Sequence, residues 1–233
     1  MASSIFRFKQ FELHQHLAPF RLGTDAVLLG AWAKMTCGKG PILDIGTGTG
    51  ILALMAAQRN PDRQVWAVER HPKALEQAAT NFAHSPFHQR LQLFEGTIPH
   101  WKAPESADDL LCNPPYFLNH TKNPNTDKES ARHGDINLPW EWAEWMKDQV
   151  TEAGRIHMVL PEVSFAFWQQ AMKNGMHLQA HTLVRSTSTK AVSRHLCSWG
   201  REQVPLEVQQ LTLYASGDKR SAEFEELCRA FYL

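Results

Sequence analysis

Asn113-Pro114-Pro115-Tyr116 joins one amide, two stiff prolines and one flat aromatic, directly after the apolar run Leu110-Leu111-Cys112. A short apolar run of this kind reads as a strand, so it delivers the four residues to a sheet edge. The amide oxygen of Asn113 and the carbonyl of Pro114 can each accept one N–H of a planar group carrying NH2. The nitrogen of such a group is a poor nucleophile, because its lone pair is delocalised into the ring. Two acceptors draw it toward tetrahedral geometry and localise the pair on the side of an electrophile. That is preorganised electrostatics with in-line positioning, and it needs no covalent intermediate. Pro115 keeps the loop stiff. Tyr116 offers a stacking face worth roughly 1–3 kcal/mol to a base. A diproline alone is equally well a plain turn. A second motif upstream shifts that balance.

Asp44-Ile45-Gly46-Thr47-Gly48-Thr49-Gly50 follows a predicted strand and opens a predicted helix. Glycines there let the chain turn sharply and let a ligand approach the main chain. A glycine loop alone is a weak signal, since dehydrogenases have one. Asp44 sharpens it: a carboxylate at the strand end repels a pyrophosphate and suits a cofactor with an ammonium, such as S-adenosylmethionine. Glu69 ends the next strand, about twenty residues on, where it can accept two ribose hydroxyls. The plainer alternative is a glycine-rich turn whose acids cap helices.

The elements that must position these residues follow from the pattern. Residues 5–13 alternate, Phe6 and Phe8 against Arg7 and Lys9, and predict one strand with a buried face. Leu22–Trp32 predicts a helix that Thr24 or Asp25 caps. Strands are expected at Ile42–Ile45, Gln64–Glu69, Leu91–Glu95, Asp109–Asn113 and Arg155–Leu160. Helices are expected at Ile51–Arg59, Pro72–Ala83 with proline at its start, Leu138–Glu152 and Ser164–Lys173, the last ended by Asn174-Gly175. His177–Ser186, His195–Gly200 and Leu206–Tyr214 are strand-like, the last two antiparallel, and Ser221–Phe231 is a closing helix. Strand–helix alternation predicts an α/β fold with a doubly wound, mostly parallel sheet. In such sheets ligands bind beyond the carboxyl ends of the strands, where the strand order reverses. The polar stretch 119–137 reads as a loop beside the site. Residues 1–35 are expected to form a strand–helix extension packed on a core of residues 36–233, within a single domain overall.

Composition excludes several classes. The 233 residues are 43% hydrophobic, with 24 Lys plus Arg against 24 Asp plus Glu. A net charge of zero argues against coating nucleic acid by bulk charge and leaves room for a local basic face. Cys37, Cys112, Cys197 and Cys228 are far apart, so neither a zinc site nor a disulfide framework is expected, which fits a reducing cytoplasm. The 12 histidines are scattered. His84 and His88 come nearest helical spacing, but Pro86 separates them, and no metal is predicted. No segment reads as a signal peptide or membrane span.

With these motifs the chain resembles the class I S-adenosylmethionine-dependent methyltransferases that act on amino groups. More narrowly, it resembles the bacterial tRNA (adenine-N6)-methyltransferases of adenine 37 in a valine tRNA. Besides the glycine loop and Asn113-Pro114-Pro115-Tyr116-Phe117, the resemblance rests on four segments. They are Phe6-Arg7-Phe8-Lys9-Gln10-Phe11, Gly23-Thr24-Asp25-Ala26-Val27-Leu28-Leu29-Gly30-Ala31-Trp32, Ala131-Arg132-His133 and Phe231-Tyr232-Leu233. It implies a Rossmann-like, mostly parallel seven-stranded sheet with an antiparallel strand near the C-terminus and a short N-terminal β extension. It also implies that Asn113, Pro114, Pro115 and Tyr116 hold an adenine. Asp44, Gly46, Gly48, Gly50 and Glu69 then hold the cofactor, with Thr24 and Asp25 near its methionine end. Many relatives carry an acid on the cofactor's adenine amine after the third strand. Thr97 stands there in this chain, where its hydroxyl can still bond, with weaker affinity. Asp108 is expected near a strand start, and Asp109 has no evident role.

An RNA acceptor needs cations near its phosphates. The candidates are Arg7, Lys9 and Arg21 at the N-terminal edge, Lys122, Lys128, Arg132 and His133 in the polar loop, and Lys190 and Arg194 in the late loop. Any one of them is more often a solvated charge. An anticodon-arm adenine is swung out of its stack more cheaply than one in a duplex. The expected partner is tRNA, with no membrane, no obligate protein partner and a monomeric state. Ribosomal guanine, DNA adenine and protein glutamine present the same planar amine. Glutamine methyltransferases usually carry an added N-terminal helical domain, and about forty residues before the glycine loop are too few for one. A catalytically idle RNA-binding or assembly factor would have no use for Asn113 and Tyr116. A dehydrogenase would leave Asn-Pro-Pro-Tyr without a task.

Overall fold

The structure, a computed structural model, describes residues 5–17, 22–115 and 138–233. Two short strands come first, β1 (Ile5–Arg7) and β2 (Glu12–His14). Then follow α1 (Thr24–Trp32), β3 (Ile42–Ile45), α2 (Ile51–Arg59), β4 (Val65–Glu69), α3 (Pro72–His84), β5 (Leu91–Glu95) and β6 (Ala107–Cys112). After the polar stretch come α4 (Leu138–Gln149), β7 (Val150–Pro161), α5 (Glu162–Met172), β8 (His177–Arg185), β9 (Val192–Gly200) and β10 (Glu207–Thr212). A small hairpin, β11 (Tyr214–Ser216) and β12 (Lys219–Arg220), and α6 (Ala222–Cys228) complete the chain.

Eight strands form the central sheet in the order β10-β8-β9-β7-β6-β3-β4-β5. The strand β3 is buried on both faces, as a parallel strand with helices on either side must be. One face packs under α1, α2, α3 and α6 through Val27, Leu52, Phe82 and Phe224. The other packs under α4 and α5 through Trp145, Met146 and Trp168. The buried positions of α3 are Ala74, Gln77, Ala78, Asn81 and Phe82, the spacing of an amphipathic helix. Strand order reverses at β3, which lies between β6 and β4.

Four expectations are corrected. Residues 5–13 are not one strand. Phe8 N–H donates to Phe11 O at 2.9 Å, and their rings stack at 4.6 Å, so the chain folds back as an antiparallel β1–β2 pair. The sheet has eight strands rather than seven. Strand β9 runs antiparallel between β7 and β8, and β10 lies at the outer edge, parallel to β8, so β9 and β10 run antiparallel as expected, with β8 between them. Neither Thr24 nor Asp25 caps α1; the cap is Gly23, with no side-chain bond. Ser221 does cap α6, accepting from Phe224 N at 3.0 Å. Finally, α4 stops at Gln149 and the chain enters β7 directly at Val150-Thr151, where β-branched residues favour a strand.

Asp109, which had no evident role, is fully buried. It accepts from Arg63 Nη1 at 2.7 Å, from Thr36 N at 3.0 Å and from Thr36 Oγ1 at 2.8 Å, and lies 3.1 Å from His157 Nε2. Burial alone raises a carboxyl's pKa. Here it is outweighed by the hydrogen bond and charge of His157 and by the bonds from Thr36 and Arg63, and Asp109 sits below its ordinary value. Asp108 accepts from Gly40 N at 2.7 Å. The two acids thus bind the α1–β3 connection to β6.

No described helix is long and apolar enough to cross a membrane. All four cysteines are free, with only Cys37 exposed. Among the described residues no group of His, Cys, Asp and Glu is arranged to hold a metal ion.

Candidate active site

Ile45 pairs with Val68 of β4 on one side and with Cys112 of β6 on the other. Gly46, Glu69 and Asn113 therefore leave the sheet at one level from three adjacent strands, which are spaced about 4.8 Å apart. Gly46, Gly48 and Gly50 have φ of +66°, +59° and +88°, conformations that side chains disfavour. A Cβ on Gly46 or Gly48 would meet nothing within 4 Å, so the space over both is open. A Cβ on Gly50 would lie 2.5 Å from Phe82 Cε1, so that glycine also admits the ring of α3.

Asp44 lies inside β3, fully buried. Its Oδ2 accepts from Thr47 Oγ1 at 2.5 Å and from Ala53 N at 3.1 Å, tying the loop to the first turn of α2. Its Oδ1 is buried without a partner among the described residues. Burial raises the carboxyl from 3.8 to about 7, against the bonds from Thr47 and Ala53, and the charge of Glu69 adds to the rise. Glu69 accepts from Gly48 N at 2.9 Å through Oε2, and from Arg70 N and His71 N through Oε1. It shapes the loop and keeps acceptor capacity, since a carboxylate offers about four lone-pair sites. The residues present fit S-adenosylmethionine: an open glycine cradle, an unpartnered buried carboxyl oxygen for a cationic group and a carboxylate for hydroxyls.

Asn113 is half-buried, and its Oδ1 has no partner among the described residues. It lies two residues past Leu111, the partner of Asp44, so it points to the same sheet face as Asp44 and α2. Pro114 is buried and Pro115 exposed. Tyr116 lies outside the described residues, as do Arg21, Lys122, Lys128, Arg132 and His133.

The other expected positions are spread out. Thr97 is exposed just past β5, its carbonyl accepting from His100 N and Trp101 N. Thr24 starts α1, and Asp25 accepts from Arg194 Nε at 2.8 Å. Lys190 is exposed in the β8–β9 turn. Arg7 pairs with Glu12 at 3.0 Å. Lys9 Nζ donates to Arg229 O at 2.7 Å, while Gln58 in the last turn of α2 donates to Ala230 O. Lys9 is thus near the far end of α2, about 13 Å of helix from the glycine loop.

Two residues that support the loop escaped the sequence reading. Thr47 locks Asp44, as described. Asn81 of α3 donates to Thr49 O at 2.7 Å and to His14 O at 2.9 Å, and accepts from His14 N at 2.9 Å. It joins the N-terminal hairpin to the glycine loop. Its signal was present: Gln77 and Asn81 are polar residues on the apolar face of α3, and buried polar groups require partners.

Known proteins agree with this geometry. The methyltransferase small domain family model matches residues 23–134. An Aliivibrio salmonicida protein named tRNA1(Val) (adenine(37)-N6)-methyltransferase is 40% identical, covering 98% of this chain and 97% of its own. A protein of the same name from Actinobacillus succinogenes is 36% identical over 100% of this chain and 98% of its own. Among solved structures, a predicted O-methyltransferase from Agrobacterium tumefaciens superposes with a TM-score of 0.67 at 17% identity, over 88% of this chain and 96% of that one. TrmN from Thermus thermophilus does so at 0.54 with 21% identity, over 76% and 47%. These two show the shared fold. The near-full-length match to the curated relatives places the chain in the tRNA1(Val) (adenine(37)-N6)-methyltransferase family.

Proposed function

We propose that this chain methylates the exocyclic N6 of an adenine in tRNA, adenine 37 of a valine tRNA, using S-adenosylmethionine. The name and coverage of its relatives support the acceptor. The observation that carries the chemistry is Asn113 Oδ1, buried and without a partner among the described residues, at the end of β6, one strand from the glycine loop. A buried acceptor left without a donor costs stability, and an amine N–H supplies that donor.

When bound, the cofactor supplies an electrophilic methyl on a sulfonium. Gly46, Gly48 and Gly50 admit it against the main chain, Asp44 offers Oδ1 to its cationic end, and Glu69 accepts from its ribose hydroxyls. Thr24, Asp25 and Thr97 belong to the rim of that site. Asn113 Oδ1 and Pro114 O each accept one N–H of the adenine amine and turn its lone pair out of the ring. Pro115 stiffens the loop, and Tyr116 stacks on the base. Lys190, exposed in the β8–β9 turn, is a candidate to meet a phosphate, with Arg21, Lys122, Lys128, Arg132 and His133 as further candidates. Arg7 lies in the N-terminal hairpin, paired with Glu12. The chain acts as a monomer in the cytoplasm.

Asn113→Ala tests this reading. Formation of N6-methyladenosine in tRNA should fall by about 10² or more, as for loss of one preorganised polar group in a site. Binding of S-adenosylhomocysteine, read by calorimetry, should stay within about threefold of wild type, roughly 0.6 kcal/mol. Equal loss of both would mean that Asn113 serves the cofactor and not the acceptor.

A further inference from the structure

Strand β9 enters the sheet beside the acceptor loop. Leu160 and Pro161 of β7 pair with His195 and Arg194, and lie two and three residues beyond Met158, the partner of Cys112. Pro114 and Pro115 lie two and three residues beyond Cys112. Arg194 and His195 are thus level with the diproline, and as successive strand residues they point to opposite faces.

Arg194 points toward α1, on the face that holds Leu196, Asp44 and Asn113. Its Nε donates to Asp25 Oδ2 at 2.8 Å, across 169 residues, and its Nη1 donates to Ser193 O at 2.7 Å. His195 points the other way. Its Nε2 lies 2.7 Å from Glu162 Oε2, at the first residue of α5, and its Nδ1 lies 2.8 Å from His181 Nε2. Phe165 stacks on it at 4.1 Å. Two consecutive residues of β9 therefore hold the first turns of the helices on either side of the sheet. The rest of α1 is held separately. Arg59 Nη1 donates to Gly30 O at 2.7 Å, and Trp32 Nε1 donates to Thr182 Oγ1 at 2.9 Å. Gly30 packs so closely on Met55 that a Cβ would come within 2.6 Å of its sulfur.

We propose that Arg194 is a positioning residue for the methyl transfer. Through Asp25 it fixes the first turn of α1 at the acceptor end of the site, and it is not a phosphate contact. Its Nε is turned onto Asp25 and its Nη1 onto the carbonyl of Ser193, so the guanidinium faces α1 and its own strand. Asp25 and Arg194 are 17% and 32% exposed, so the pair is shielded from solvent more than a surface ion pair. The inference rests on the methyltransferase reading above.

Arg194→Ala, Asp25→Ala, the double variant, Arg194→Lys and Glu162→Gln test it. Three readouts are needed: turnover on tRNA, the salt dependence of tRNA binding and the melting temperature. Each single alanine variant should lose about tenfold or more in kcat, since small misplacements reach 10²-fold. The double variant should lose no more than either single one, because the two act as one unit. The slope of log Kd against log salt should match wild type in all of them. Arg194→Lys should fall between wild type and Arg194→Ala, and carries the comparison if the alanine variants do not melt cooperatively. Glu162→Gln, which loosens the opposite face, should keep wild-type turnover. The proposal is overturned by additive losses in the double variant, or by an equal loss in Glu162→Gln. It is also overturned if Arg194→Ala alone lowers the salt slope by about 0.7–0.9, the release expected from one phosphate. A wild-type chain that makes no N6-methyladenosine would sink the proposed function instead. The salt and melting readouts would still report on Arg194.

Discussion

Asp44 illustrates how one side chain serves two ends. Its Oδ2 holds Thr47 and the start of α2, which shapes the loop, while its Oδ1 is left buried with no partner among the described residues. Desolvation by that burial lifts its pKa from 3.8 to about 7. Between those values the folded chain holds a proton that the unfolded chain has released. Stability from this group therefore falls as pH rises from about 4 to about 7. Asp44→Asn removes that dependence and keeps an oxygen for Thr47 and Ala53. In urea unfolding of the cofactor-free protein, the variant should gain on wild type steadily across that window. A difference between the two that stays flat with pH would show that Asp44 is ionised throughout. The sequence placed an acid at the foot of the glycine loop. It did not show that the carboxyl faces inward, because that depends on α2 folding over it.

At the scale of elements, the connection from α1 to β3 depends on an internal ion pair. Asp109 and Arg63 are 2.7 Å apart, with Arg63 also donating to Gly40 O, and both side chains are buried. Removing one partner strands the other's charge. Asp109→Ala should cost about 3–5 kcal/mol of stability, read as a shift in the urea midpoint. A loss below about 1 kcal/mol, the range of an exposed pair, would contradict this. The elements themselves were largely legible. β3, α2 and β5 fall at the residues their apolar runs indicate. The N-terminal turn was not, because Phe6 and Phe8 alternate and so do Phe11 and Leu13, and the one-residue slip in phase at Lys9-Gln10 is the only mark of the reversal. Nor was the role of Asp109, whose partners Thr36, Arg63 and His157 come from three distant segments. No local pattern encodes such a meeting.

Across the whole molecule, the division of the sheet separates two tasks. The β3–β4–β5 half carries the glycine loop, Glu69 and Thr97, while β6, β7 and β9 carry Asn113 and the Arg194 rim. The sequence made the glycine loop and the Asn-Pro-Pro-Tyr motif readable, since each consists of consecutive residues. Sheet order past β7 was not readable, because nothing in β9 or β10 states its neighbour. The strand β9 folds back between β7 and β8 and so brings Arg194 to Asp25, 169 residues away. The most direct test of the account is nucleoside-resolved mapping of a valine tRNA transcript after incubation with the protein and S-adenosylmethionine. The account predicts one added methyl, as N6-methyladenosine, in the fragment that carries adenine 37, and none when that base is replaced by guanine. A methyl elsewhere in the tRNA, or none on tRNA and label on protein, would contradict it.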